Sequence, residues 1–141
     1  MESWAQQVVA KWATEGVKIN DKTTIDSIES TEIVLDFKFP EDFKELYLEM
    51  NGFKGLDWQE HMFHFWPLEK IIEEYEESDA KNFVGFCDFL LGSNFIGFNK
   101  NRAGIFKKYS KMYSDLEDGE LIANSLEEVV SMINSSDDRI Y

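Results

Sequence analysis

The side chains that most often perform catalysis or bind metals are scarce in this chain. It has two histidines, His61 and His64, and one cysteine, Cys87. The helical zinc-protease motif needs two histidines four residues apart with a glutamate directly after the first, and the segment 60–64 does not supply it. The alternation at 63–65 is typical of a strand, in which side chains three apart point to opposite faces. We therefore predict no metal site and no cofactor.

Cys87 ends the apolar run 83–87, which favours a small buried side chain over a reactive thiol. Spacing alone still permits a nucleophilic pair of Cys87 with His61 or His64, so a small hydrolase stays open as an alternative. A single cysteine forms no internal disulfide. The chain begins with no basic and apolar leader and has no apolar stretch of about 18 residues, so we expect a cytoplasmic protein without a membrane span.

The acidic segment 115–120 resembles a calcium loop only superficially. Counted from Asp115, Gly119 is fifth and Leu126 is twelfth, whereas an EF-hand loop needs glycine at the sixth position and glutamate at the twelfth. A tight hairpin turn explains the segment better. Its exposed acids Asp115, Glu117 and Asp118 are then candidates for contact with a partner.

Charge is the strongest functional signal in this sequence. The chain has 28 acidic and 14 basic residues, a formal net charge of −14, yet 15% of its residues are aromatic. Such a chain folds around a core and repels nucleic acid and anionic membranes, which bind proteins largely through Lys and Arg. Its expected partner is a basic protein, whose approach the field would accelerate.

One segment, 100–111, is basic and lies among Phe98, Phe106 and Tyr109. Aromatic and basic residues together could bind single-stranded nucleic acid. We expect instead that the aromatic side chains alternate into a sheet and that the lysines stay outside.

The candidate partner-binding residues fall in two further segments. A predicted helix beginning after Pro67 carries acids on its outer face, and the polar loop after Gly55 carries two possible anchors. The candidates are Glu73, Glu74, Glu76, Glu77 and Asp79 on or just after the helix, and Trp58 and His61 in the loop. For Trp58, a place in the core is an equal alternative.

Hydrophobic periodicity predicts an α+β fold in a single domain spanning 1–141. Helices are expected at about 4–16, from a cap at Thr24, from Pro40 to about Gly52, from Pro67, and from a capping box at Ser125. Strands are expected at 62–66, 83–87, 95–98, 104–109 and 120–123, separated by short turns that favour antiparallel pairing. This gives an antiparallel sheet of about four to six strands with helices mainly on one side, and a frayed tail at 135–141.

Four segments in order resemble the SUKH superfamily, which includes the yeast cell-wall-synthesis regulators and many bacterial immunity proteins. They are Pro40–Tyr47 leading to Asn51-Gly52, Phe65–Ile71, Phe95–Phe98 followed by Gly104–Phe106, and Ile122–Glu128. The similarity spans about 24–134.

The resemblance implies an α+β domain without catalytic activity. Bacterial members typically neutralise a cognate toxin, often a nuclease or deaminase, by binding it. The leading hypothesis is therefore a non-enzymatic immunity protein with an acidic binding surface. A housekeeping adaptor of the same fold is the alternative.

Overall fold

The computed structural model describes residues 3–79, 81–90, 92–108 and 119–140. Within these residues, helices and strands occur in the predicted order, which confirms the α+β fold. The helices are α1 Trp4–Thr14, α2 Ile25–Leu35, α3 Glu41–Tyr47, α4 Leu68–Glu77 and α5 Leu126–Ser135. The strands are β1 Phe63–Phe65, β2 Phe83–Phe89, β3 Asn94–Asn99, β4 Arg102–Lys108 and β5 Glu120–Ala123.

The strands form one antiparallel sheet in the order β1-β2-β3-β4-β5. Each strand pairs with its neighbour in sequence, as short connections require. Bulges interrupt the pairing near Gly85, Gly97 and Ile105. At Gly97 a Cβ atom would lie 2.3 Å from the Val84 carbonyl oxygen, so only glycine fits where β2 and β3 approach.

An aromatic ladder joins α3 to the sheet. Phe39, Phe43 and Tyr47 lie four residues apart, and the Phe43 ring stacks on both of its neighbours, at centroid distances of 4.0 and 4.2 Å. The Phe43 edge meets Phe86 of β2 and Phe98 of β3 at 6.2 and 5.8 Å. This ladder fixes the face of the sheet on which the helical layer packs.

The helix caps confirm part of the sequence prediction and correct part of it. Thr24 and Ser125 accept the backbone N–H of Ser27 and Glu128, as N-caps do. Pro40 and Pro67 lie one residue before the first helical position, in extended backbone, not at that position. Helix α3 ends at Tyr47, so Gly52 does not terminate it. Gly52 instead lies at φ +71°, against the backbone of Trp66 and Pro67.

Two expectations about exposure are wrong. Ile140 is fully buried, at the end of a short 3-10 helix, Asp138–Ile140, so the tail packs on the core and is not frayed through that residue. Lys107 and Lys108 of the basic segment are also buried, although we expected the lysines outside. The Lys108 ammonium lies 4.7 Å from the Phe83 ring centroid, which shows how a long stem and a cation–π contact accommodate it.

Candidate protein-binding surface

Helix α4 presents an acidic face. Leu68 and Ile71 are buried, whereas Glu73, Glu76 and Glu77 are exposed, because the helical period places them on the opposite side. Asp79, just beyond the helix, is exposed as well. Among the described residues, no ion pair uses these four carboxylates. We call Glu73, Glu76, Glu77 and Asp79 the α4 acidic face.

Glu74 differs from its neighbours. Glu74 is only half-exposed, and it already interacts with another group of the protein. A variant designed to probe the α4 acidic face should therefore leave Glu74 intact.

A lysine from outside the helix holds the C-terminal end of α4. Lys81 Nζ donates hydrogen bonds to the carbonyl oxygens of Tyr75, at 2.7 Å, and Glu76, at 3.2 Å. It also lies 4.7 Å from the Tyr75 ring centroid, as does Lys100 Nζ, which donates to Tyr75 Oη at 2.7 Å. The positive charges stabilise the negative end of the helix dipole. Their contacts with Tyr75 also fix the position of the helix that carries the acidic residues.

The loop before β1 presents both predicted anchors. Trp58 is 36% exposed, so it is not a core tryptophan. His61 is partly exposed, and its Nε2 lies 3.1 Å from Glu60 Oε1. The Gln59 side chain is buried and orders the turn, because its Oε1 accepts the N–H groups of His61 and Phe63.

The same corner carries exposed apolar residues that the sequence analysis did not identify. Met62 and Leu90 have φ angles of +70° and +50°, and they are 41% and 43% exposed. The Leu90 N–H donates to the Met62 carbonyl at 3.0 Å, so the two residues adjoin where β1 and β2 meet. Positive φ in bulky residues is uncommon and costs energy. No sequence signal predicts it, since neither residue favours that conformation.

The two candidate sets are held by different parts of the fold. Helix α4 packs on β2 and α2. The Trp58 loop is held through Asp57, which accepts the Lys18 N–H at 2.6 Å, and through Glu60, 3.9 Å from Lys11 of α1. The third predicted set, Asp115, Glu117 and Asp118, lies outside the described residues.

A buried polar pair spans β1 and β2 next to the Trp66 indole. His64 and Asp88 are cross-strand partners, 2% and 6% exposed. Asp88 Oδ2 accepts the Trp66 indole N–H at 2.8 Å and lies 3.9 Å from Lys70 Nζ. Within the described part of the chain, Asp88 Oδ1 and His64 Nε2 have no hydrogen-bond partner. His64 Nδ1 lies 2.6 Å from the Asp57 carbonyl oxygen, which makes Nδ1 the protonated nitrogen of a neutral ring.

His64 makes stability depend on pH. Burial, together with the nearby Lys70 ammonium, lowers the pKa of His64 from 6.5. The hydrogen bond to the Asp57 carbonyl and the negative charges of Asp88 and Asp57 act in the opposite direction but do not outweigh burial. The unfolded chain therefore binds the proton more readily, so this contribution to stability is complete above pH 6.5 and is lost as pH falls towards the folded-state pKa.

We predict that His64→Asn flattens this pH dependence, because asparagine keeps a donor for the Asp57 carbonyl and does not titrate. Between pH 6.5 and the lower pKa of His64 in the folded protein, the free energy of unfolding of the wild type should fall by up to about 1.4 kcal/mol more per pH unit than that of the variant. Urea unfolding at several pH values measures the difference. Equal slopes for wild type and His64→Asn would contradict the prediction.

The chemistry of the single thiol is that of a core residue. Cys87 is fully buried, and desolvation, with the Asp88 charge, raises its pKa well above 9.0. A nucleophilic cysteine needs the opposite shift. Among the described residues, no three His, Cys, Asp or Glu side chains gather as a metal site would require.

The geometry defines a small α+β domain in which a five-stranded meander is covered by helices. The model of the SMI1 / KNR4 family (SUKH-1) matches residues 22–132, and the chain belongs to this family. The predicted resemblance over 24–134 is thereby confirmed. A comparison with curated proteins finds no match. None of the helices in the described part of the chain is long and apolar enough to cross a bilayer.

Proposed function

We propose that this chain is a non-enzymatic immunity protein that binds a basic toxin domain of the nuclease or deaminase type. Membership of the SMI1 / KNR4 family supports a binding role. The observation that carries the proposal is the α4 acidic face, whose carboxylates are exposed and unpaired within the described structure. A toxin domain that handles nucleic acid presents a basic cleft, to which such a face is complementary.

The arrangement of the bases supports the same partner. Several cations of the basic segment make cation–π contacts within the molecule. Lys100 lies over Tyr75, Arg102 over Phe106 and Lys108 over Phe83. These contacts orient the cations toward their own aromatic rings. The acids of α4, by contrast, point away from the core, so the exterior field near this helix is negative.

Trp58 supplies an apolar contact for the same type of partner. Binding energy in protein interfaces concentrates in a few residues, and tryptophan is among the most common of them. Steering by the acids and anchoring by an aromatic side chain are separate contributions, to the association rate and to the lifetime respectively.

The test is co-expression with the C-terminal domain of the toxin encoded beside the gene, followed by binding kinetics. The wild type should restore growth. The triple variant Glu73→Lys, Glu76→Lys, Glu77→Lys should slow association by about tenfold or more at low salt and weaken its salt dependence, since opposite charges steer the encounter. Thermal stability should change little.

A matched control keeps the same change in net charge. Asp21→Lys, Glu29→Lys and Glu45→Lys replace exposed acids elsewhere on the surface. If both triple variants slow association equally, only net charge matters and the α4 acidic face is not the contact. Failure of the wild type to restore growth would favour an adaptor role, and substrate turnover by the purified protein would refute a purely binding function.

A further inference from the structure

A cleft between α1 and α5 has the form of a second binding site, and no residue of α4 is among its described lining residues. On one side of α5, Trp4 and Val8 of α1 and Val130 of α5 line an open groove of about 370 Å³. Val130 is 1% exposed and forms part of the floor, while Trp4 and Val8 are half-buried and form one wall. This groove is mainly apolar.

A second groove runs along the other side of α5 and is acidic. It has a volume of about 590 Å³, and its lining includes Glu127, Glu128 and Asp137. Among the described residues of this lining, the one base is Arg139, whose Nε and Nη2 donate to Asp137 at 3.0 and 2.9 Å. The charges of Arg139 and Asp137 cancel within this ion pair, so the charges of Glu127 and Glu128 make the groove negative.

The two grooves share one ridge. Glu127, Ser131 and Ser135 line both of them and are exposed. Residues four apart lie on one line along a helix, so these three form a ridge of roughly 12 Å at about 1.5 Å per residue. An extended peptide of about four residues, at roughly 3.3 Å each, matches this length.

The walls are fixed before any ligand arrives. Trp12 Nε1 donates to Asn134 Oδ1 at 2.8 Å, which joins α1 to the C-terminal half of α5. Asp42 Oδ2 accepts the Glu127 N–H at 3.0 Å, which joins α3 to the first turn of α5. A preorganised groove loses less entropy on binding than one that must form.

We propose that this cleft binds an extended segment of a basic protein in which apolar and cationic residues alternate. Successive side chains of an extended chain point to opposite sides. A segment that follows the ridge therefore places apolar side chains between Trp4, Val8 and Val130, and Lys or Arg beside Glu127 and Glu128. The inference goes beyond the proposed function, because it assigns a different surface and a specific sequence pattern in the ligand.

The probe is a fluorescein-labelled hexapeptide, Leu-Arg-Phe-Lys-Leu-Arg, and its matched control is the block sequence Leu-Leu-Phe-Arg-Lys-Arg. Both have the same composition and charge. Fluorescence anisotropy with the full chain at physiological ionic strength should give about tenfold or more tighter binding for the alternating peptide. Equal binding, or no saturable binding of the alternating peptide, would overturn the proposal.

Variants on the ridge locate the site. Ser131→Arg and Glu127→Lys should each weaken binding of the alternating peptide by about tenfold or more, since each places a cation where the peptide carries its own. The same changes on α2, Ser30→Arg and Glu29→Lys, should leave it unaltered. If the ridge variants bind the peptide as the wild type does and the α4 triple variant binds it more weakly, the cleft is not the peptide site. That result would leave the proposed function unaffected.

Discussion

Replacement of Gly52 by alanine should lower the free energy of unfolding by about 2–5 kcal/mol. The positive φ accounts for about 1–2 kcal/mol of this loss and a clash with the backbone for about 1–3. A Cβ atom there would lie 2.4 Å from Pro67 N and 2.5 Å from the Trp66 carbonyl carbon. Neither can move freely, because Tyr47 Oη donates to the Trp66 carbonyl at 2.5 Å and the Leu68 N–H donates to Asn51 Oδ1 at 2.9 Å. Urea denaturation measures the loss.

Gly55→Ala separates the two causes. Gly55 also has a positive φ, +55°, but apart from its chain neighbours no atom of the described residues lies within 4 Å of its ideal Cβ position. This control carries only the conformational cost and should lose about 1–2 kcal/mol. If the two alanine variants unfold at the same urea concentration, the close approach of Gly52 to the 66–67 backbone does not limit stability.

Replacement of Phe43 by alanine should cost about 3–5 kcal/mol, the usual range for a buried phenylalanine. Its ring is fully buried, stacks on Phe39 and Tyr47, and also meets Phe86 and Phe98. The cavity would open where α3 joins the sheet, and the surrounding rings cannot close it without leaving their own contacts. In a thermal melt, this should lower Tm by roughly 10–20 °C.

Phe43→Leu is the matched variant, because it retains most of the apolar volume and removes only the ring. It should lose clearly less stability than Phe43→Ala, about 1–2 kcal/mol, of which the stacking contributes about 0.5–1.5. Comparable losses in the two variants would show that ring geometry, not the filled volume, maintains the ladder.

Local features were predictable because they depend on residues close in sequence. The apolar stripe at 43, 46, 47 and 50 predicts a buried helix face, and all four side chains are buried, although Met50 lies beyond the end of α3. Ser125 and Thr24 were identified as caps because capping involves residues three apart. The outward acids of α4 follow from the helical period alone, although the interaction of Glu74 does not.

Long-range features were not predictable from one sequence. Gly52 was assigned to a helix end because glycine is common there. Its real constraint comes from residues 66–67, which no local pattern connects to it. The alternation at 63–65 placed His64 on a strand but did not show its surroundings; its burial beside Asp88 depends on the register between β1 and β2. Lys107 and Lys108 were placed outside for the same reason, because charge alone does not show what packs on a strand.

The amino-acid sequence by itself determined the fold class, the order of its elements, the family resemblance and the negative exterior, since these follow from periodicity, capping and composition. Tertiary structure alone decided which polar groups are buried, where Met62 and Leu90 adopt positive φ, and how α1 and α5, more than a hundred residues apart, frame one cleft. The physical reason is that strand register and helix packing bring together residues that share no local signal, so their environment exists only in the folded chain.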